Sequence, residues 1–256
     1  MNKRLIESIA SYGNKYQERH LSEYNPDLLL KNWWEALDFF FSRACYQGRR
    51  DALSKRVYDA VTEVLKPEFG VTTRTANYQR LCQQEWKLVE QELRQRIGKG
   101  KVGKARDIDM VLSTLDFIGH ISDLNIVRYS VEQITLGNID EHYADLQSSR
   151  SSNGITQVGP KIAAFYLRDL VSLYHLEGKV PPASAFCLQP VDVWVEKLAR
   201  ELDIVDDDAN QHHIQTAIIA LCQKYEISPL LFNQGAWYVG YYAFEIVLEI
   251  LMKQGD

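Results

Sequence analysis

The chain has little that could staple it or hold a metal. Cys45, Cys82, Cys187 and Cys222 are scattered over 256 residues with no CxxC pair. That spacing excludes a zinc ribbon or a Cys-ligated iron–sulfur cluster and offers no disulfide framework. Among the histidines, His212 and His213 are adjacent while His120, His142 and His175 are dispersed, with no HxxxH spacing, so no metal site is expected. A long apolar run is also missing. The most apolar stretch, 236–252, is interrupted by Glu245 and Glu249 and reads as a buried helix, not a membrane span. Met1 to Asn14 carry Lys3 and Arg4 and then only short apolar pieces, unlike a signal peptide, so a cytoplasmic protein with no membrane partner is expected. Excess positive charge is lacking too: 29 Lys and Arg stand against 34 Asp and Glu, a net charge of −5. This excludes a uniformly basic nucleic-acid binder and leaves room for a local basic patch. There is no internal repeat and no long low-complexity tract.

What is present is an ordinary globular composition, 46% hydrophobic and 25% charged. At about 150 residues per domain the length fits one or two domains. Helical spacing dominates: Leu28, Leu29, Trp33, Leu37, Phe40 and Phe41 recur at three- and four-residue steps, as do Val57, Val61 and Leu65. Further helices are predicted over 75–97, 107–121, 139–148, 161–176, 192–203, 210–225 and 228–253, with proline and glycine between them. Only Val71–Thr73 hints at a strand, and the fold class is all-α.

Charge concentrates from Arg94 to Arg106, where Arg94, Arg96, Lys99, Lys101, Lys104 and Arg106 are threaded with Gly98, Gly100 and Gly103 and no acid intervenes. A flexible basic loop of this kind follows a phosphate backbone; a solvated connector between helices has the same composition. The most informative stretch is Ile155-Thr156-Gln157-Val158-Gly159-Pro160-Lys161-Ile162-Ala163-Ala164, preceded by a short helix predicted at Tyr143–Ser148. A tight apolar hairpin between two helices points backbone amides at a phosphate, with Gly159 permitting the turn and Ala163 and Ala164 allowing close helix approach. Further on, Pro190-Val191-Asp192-Val193 opens another helix, and Asp192 stands where an N-cap belongs. Lys161 and Asp192 are separated by one helix and one long connection, enough chain to bring both to one cleft.

These residues resemble the helix-hairpin-helix DNA glycosylases, in particular the branch of 8-oxoguanine glycosylases and their archaeal counterparts. The resemblance is carried by Val158-Gly159-Pro160-Lys161, by the continuation through Phe165-Tyr166-Leu167-Arg168, and by Pro190-Val191-Asp192-Val193. It implies a two-lobed all-α fold, with a central helical module over 30–190 and a second lobe from 1–29 and 191–256. It implies excision of an oxidised or modified base, such as 8-oxoguanine, from double-stranded DNA by a monomeric enzyme with associated AP-lyase activity. Lys161 would be the Schiff-base nucleophile, its amine freed by burial and nearby positive charge, and Asp192 the electrostatic stabiliser. No cofactor is implied beyond a monovalent cation at the hairpin carbonyls. Val158, Gly159, Lys99 and Lys101 would contact DNA. Gln47 would fill the gap left by the flipped base, with Arg49 and Arg50 on phosphate or the orphan base. Gln234, with Trp237 or Tyr238, would form the base pocket, while Trp33 and Trp34 read as core. Gln157 departs from the family, which commonly has a first hairpin glycine there. Blander readings remain open: Lys161 as a phosphate contact in a non-catalytic DNA-binding hairpin, Asp192 as an N-cap only or as partner to an activated water, and the aromatic stripe as core.

Overall fold

A computed structural model describes residues 3–46, 51–69, 86–99, 101–121, 123–151 and 153–255, without the side chains of 51, 67–69, 86 and 243–255. The candidate wedge residues Gln47, Arg49 and Arg50, the strand hint at Val71–Thr73 and the start of the helix predicted at 75–97 lie outside the described residues. In chain order the helices are α1 (Lys3–His20), α2 (Pro26–Lys31), α3 (Trp33–Ala44), α4 (Asp51–Phe69), α5 (Trp86–Arg96), α6 (Ala105–Gly119), α7 (Ile126–Thr135), α8 (Ile139–Asp145), α9 (Pro160–Leu173), α10 (Val193–Glu201), α11 (Gln211–Tyr225) and α12 (Pro229–Gly255). Among the described residues β-structure is limited to two isolated bridges, Ile97–Val102 and Gln147–Ile155, so the all-α class is observed. No helix among them is long and apolar enough to cross a membrane. The chain divides into a continuous unit, Asn25–Tyr166, and a split unit made of Met1–Tyr24 and Leu167–Asp256.

In the continuous unit, asparagines set the helix boundaries. The apolar spacing from Leu28 to Phe41 runs through Asn32, which nevertheless divides it between two helices. Asn32 is extended (φ −119°, ψ 104°), closes α2 through its N–H to Leu28 O, and starts α3 by accepting from the Glu35 amide. Asn125 caps α7 by accepting from the Arg128 amide at 2.8 Å, while its Nδ2 donates to Leu29 O at 2.9 Å. Each such cap contributes about 1 kcal/mol, and Asn125 also fixes α7 against the end of α2. Trp33 and Trp34 are buried, as core residues should be, with Leu37, Phe40 and Phe41 on the same helix. Tyr166 of α9 meets Phe40 edge-on at 5.1 Å, which draws the start of α9 into this core. The short helix predicted at Tyr143–Ser148 ends at Asp145 instead, because Leu146 and Gln147 leave it to pair with Ile155.

The split unit is assembled by glycine. A Cβ on Gly235 of α12 would lie 1.9 Å from Ile9 O, and one on Gly13 of α1 would lie 2.5 Å from Leu231 O. The two helices therefore approach backbone to backbone, which only a hydrogen side chain allows. Around that contact Ile6, Ile9, Leu198, Ile218, Phe232 and Ala236 form a closed apolar core.

One buried polar chain in the continuous unit has a thermodynamic consequence. Ser130 Oγ donates to Ile126 O at 2.7 Å, so His142 Nε2 donates to Ser130 Oγ across 2.8 Å. His142 Nδ1 is buried with no hydrogen-bond partner among the described residues, so a second proton there would have no acceptor. Burial pushes the His142 imidazole down to about 3. His142 takes up a proton near pH 6.5 in the unfolded chain and none until about 3 in the folded one. The contribution of neutral His142 is thus complete above pH 6.5 and is lost as pH falls through that window, by about 1.4 kcal/mol per pH unit. Urea unfolding between pH 7 and pH 4 should show this slope in the wild type and a clearly shallower one in His142→Gln.

Candidate functional site

The hairpin begins with a backbone crossing. Gly154 passes Gln147 so closely that a Cβ would sit 2.4 Å from the Gln147 carbonyl, and the Ile155 amide bonds Leu146 O at 3.3 Å. The next amide, that of Thr156, donates to Ser113 Oγ at 2.9 Å and ties the hairpin to α6. The chain then turns over Ile155–Val158, closed by the Val158 N–H to Ile155 O at 3.0 Å. Gln157, third in this turn, has φ +67°, the left-handed conformation that a type II turn requires there. The turn therefore depends on Gln157 and not on Gly159: Gly159 has no positive φ, and a Cβ on it would meet nothing within 4 Å. The hairpin glycine expected from the resemblance would stand at Gln157, the position that is strained here.

α9 starts at Pro160, which has no N–H to leave unpaired. Its first helical bond runs from the Ala163 N–H to Gly159 O at 3.0 Å. The Lys161 and Ile162 amides precede that bond and, with Gly159 N–H, have no backbone acceptor among the described residues. Such a row of donors suits an anion. Val158 is buried and its N–H is used within the turn, so its amide is not part of that row. Ala163 and Ala164 are fully buried. Lys161 is half-buried, and its ammonium has no hydrogen-bond or ion-pair partner among the described residues.

The basic segment is better ordered than its glycines suggest. The Gly98 N–H bonds Val102 O at 3.0 Å and the Lys101 N–H bonds Gly98 O at 2.9 Å, making a tight reversal. Arg94 pairs with Glu90 and Arg96 with Glu63, while Lys101 Nζ donates to Arg94 O at 2.8 Å. Lys99 stays exposed at the tip. The expected flexible loop is thus, over its described residues, a folded connector with part of its charge already matched.

Asp192 belongs to the split unit and caps α10. Its Oδ1 accepts from the Trp194 and Val195 amides, both at 3.0 Å, on an extended backbone. Two N–H donors and the positive end of the helix stabilise the negative charge of this half-buried carboxylate. Asn233 of α12 donates to Pro190 O at 3.2 Å and so reaches the connection that leads into Asp192. Next to it, Gln234 is fully buried. Its Oε1 accepts from Gln17 at 2.9 Å, and its Nε2 has no hydrogen-bond partner among the described residues. Trp237 lies edge-on to Tyr16 at 5.4 Å and stacks on Tyr241 at 4.9 Å, whereas Tyr238 stacks on Tyr12 at 6.1 Å. Gln234, Trp237, Tyr238 and Asp192 thus share the split unit; Lys161, Val158, Gly159, Lys99 and Lys101 share the continuous one.

Sequence reasoning did not single out the buried polar cluster centred on Arg168. Its Nε and Nη2 converge on Asp169 Oδ1 at 3.0 and 2.9 Å, Nη2 also reaches the Tyr16 hydroxyl at 2.7 Å, and Nη1 donates to Asn233 Oδ1 at 2.9 Å. Tyr16 in turn donates to Asp169 Oδ2 at 2.8 Å. Burial opposes the Arg168 charge, but Tyr16, Asp169 and Asp192 together outweigh it and raise the guanidinium pKa. The signal was available: Arg168-Asp169 interrupts an otherwise apolar run from Ile162 to Val171. Compared with known protein families, curated proteins and solved structures, the chain matches none.

Because Gln157 holds a left-handed φ with an exposed side chain, Gln157→Gly should raise unfolding stability by about 1 kcal/mol. Gln157→Ala should bring no such gain, and chemical denaturation of the two variants reads the difference.

Proposed function

We propose that the protein is a DNA base-excision N-glycosylase with associated AP-lyase activity, of the two-lobed helix-hairpin-helix kind, acting on an oxidised or otherwise modified base such as 8-oxoguanine. The observation that carries this reading is an unpartnered lysine, Lys161, one residue into a helix that follows a tight hairpin with unspent amides. The N-cap carboxylate of Asp192 supplies the second group that the chemistry needs.

The glycosidic bond is out of reach inside a duplex, so the target nucleotide must first leave the stack. Gly159, Lys161 and Ile162 amides would hold a phosphate beside the lesion, with Lys99 and Lys101 adding charge, Gln47 filling the vacated stack, and Arg49 and Arg50 on phosphate or the orphan base. Gln234, with Trp237 or Tyr238, would form the pocket for the extruded base, which requires the buried Nε2–H of Gln234 to become exposed. As the base departs with the bonding electrons, positive charge develops on the sugar, and Asp192 stabilises it. Lys161, as the free amine, forms a bond to C1′. Ring opening gives a protonated Schiff base, whose loss of a C2′ proton expels the 3′ phosphate and nicks the strand.

Borohydride reduction of this imine tests the reading directly. Incubated with duplexes bearing a panel of modified bases, the wild type and Lys224→Gln should yield a covalent adduct and Lys161→Gln none. Asp192→Asn should slow base release by about 100-fold or more. An adduct that persists without Lys161, or none from the wild type on any duplex, overturns the proposal. Base release without an adduct would favour water as the nucleophile, and salt-sensitive, lesion-independent binding alone would favour a non-catalytic hairpin.

A further inference from the structure

We propose that Arg168 and Asn233 are positioning residues that fix the Asp192 carboxylate by clamping the chain just ahead of it, an inference that rests on the glycosylase reading. Asn233 is fully buried and two-faced: Oδ1 accepts from Arg168 Nη1 at 2.9 Å while Nδ2 donates to Pro190 O at 3.2 Å. The preceding carbonyl, Gln189 O, accepts from the buried Gln215 Nε2 at 2.8 Å. Two consecutive carbonyls are therefore pinned by side-chain amides from α11 and α12, immediately before Val191 and the capping Asp192.

The clamp is chosen over a simpler solution. Pro190, Val191 and the helix after them already bury apolar surface, and an apolar residue at 168 and 233 would serve packing as well. A buried guanidinium instead carries a desolvation cost that an ion pair barely offsets, so it is weak evidence for stability. What the charge adds is direction. Arg168 orients the Asn233 amide by occupying its oxygen, which leaves the N–H2 group facing Pro190. The same guanidinium lies close enough to attract the Asp192 carboxylate. Tyr16 and Asp169 hold its other N–H groups, so it cannot swing away without leaving two buried partners unsatisfied.

The test separates positioning from folding by non-additivity. Single-turnover base release and duplex Kd are measured for Asn233→Leu and Arg168→Lys, each in the wild-type and the Asp192→Asn background, with thermal melting as the check on folding. If the residues act through Asp192, Asn233→Leu lowers the rate about 10- to 100-fold with Kd within twofold, and lowers it no further once Asp192 is Asn. Arg168→Lys, which keeps the charge but not the fork, falls between wild type and Asn233→Leu. An equal loss in both backgrounds, or a loss in Kd matching the loss in rate, marks a structural role and overturns the proposal, as does no loss at all. A wild type that releases no base overturns the glycosylase reading and this inference together, and is recognised by its own inactivity before any variant is compared.

Discussion

Arg168 has almost no access to water, and the split unit is organised around that fact. A buried guanidinium without matched acceptors costs several kcal/mol, so its partners are obligatory. They come from three places: Tyr16 on α1, Asp169 beside it on α9, and Asn233 on α12. Removing any one leaves a charge or a dipole stranded in a low-dielectric interior. The three helices are thereby held in register around one charge. Asp192 inherits its position from the same arrangement, because the carbonyl held by Asn233 lies just ahead of its cap.

The backbone of the proposed site follows from two local conflicts that the fold resolves in opposite ways. At Gly154 the chain needs a close crossing and has the residue that permits it. At Gln157 it needs a left-handed residue and has one that resists. A strained turn next to a helix start survives when its surroundings over-determine it. Here the bridge at Ile155 and the Thr156 amide bond to Ser113 hold the two residues just ahead of Gln157.

Much of the helical layout was legible, since burial of one face imposes three- and four-residue spacing on the chain. Asp192 was legible as a cap because its proline-valine lead and the apolar residues after it define a helix start. α7 was not: Ile126, Val127, Val131 and Ile134 are β-branched and weaken the local helix signal, and only tertiary burial of Ile126, Val127 and Ile134 selects the helix. The break at Asn32 was hidden because the apolar spacing runs straight through it. Residue type points to Gly159 as the turn residue, whereas the left-handed position is set by where the chain must reverse and falls on Gln157. The compact units change over inside α9, where Arg168 and Asp169 turn to Tyr16 and Asn233 while Tyr166 stays with Phe40.

The glycine-lined seam between α1 and α12 joins segments distant in sequence: Gln17 and Gln234 across it are 217 residues apart. A ribosome adding about 5–20 residues per second takes on the order of 10–40 s to traverse that interval. Throughout it the nascent α1 presents Ile6 and Ile9 with no partner helix yet made. Closing so long a loop also carries an entropic delay that local helix pairs escape. The continuous unit can mature during this time, whereas the split unit must wait for α12 to be made.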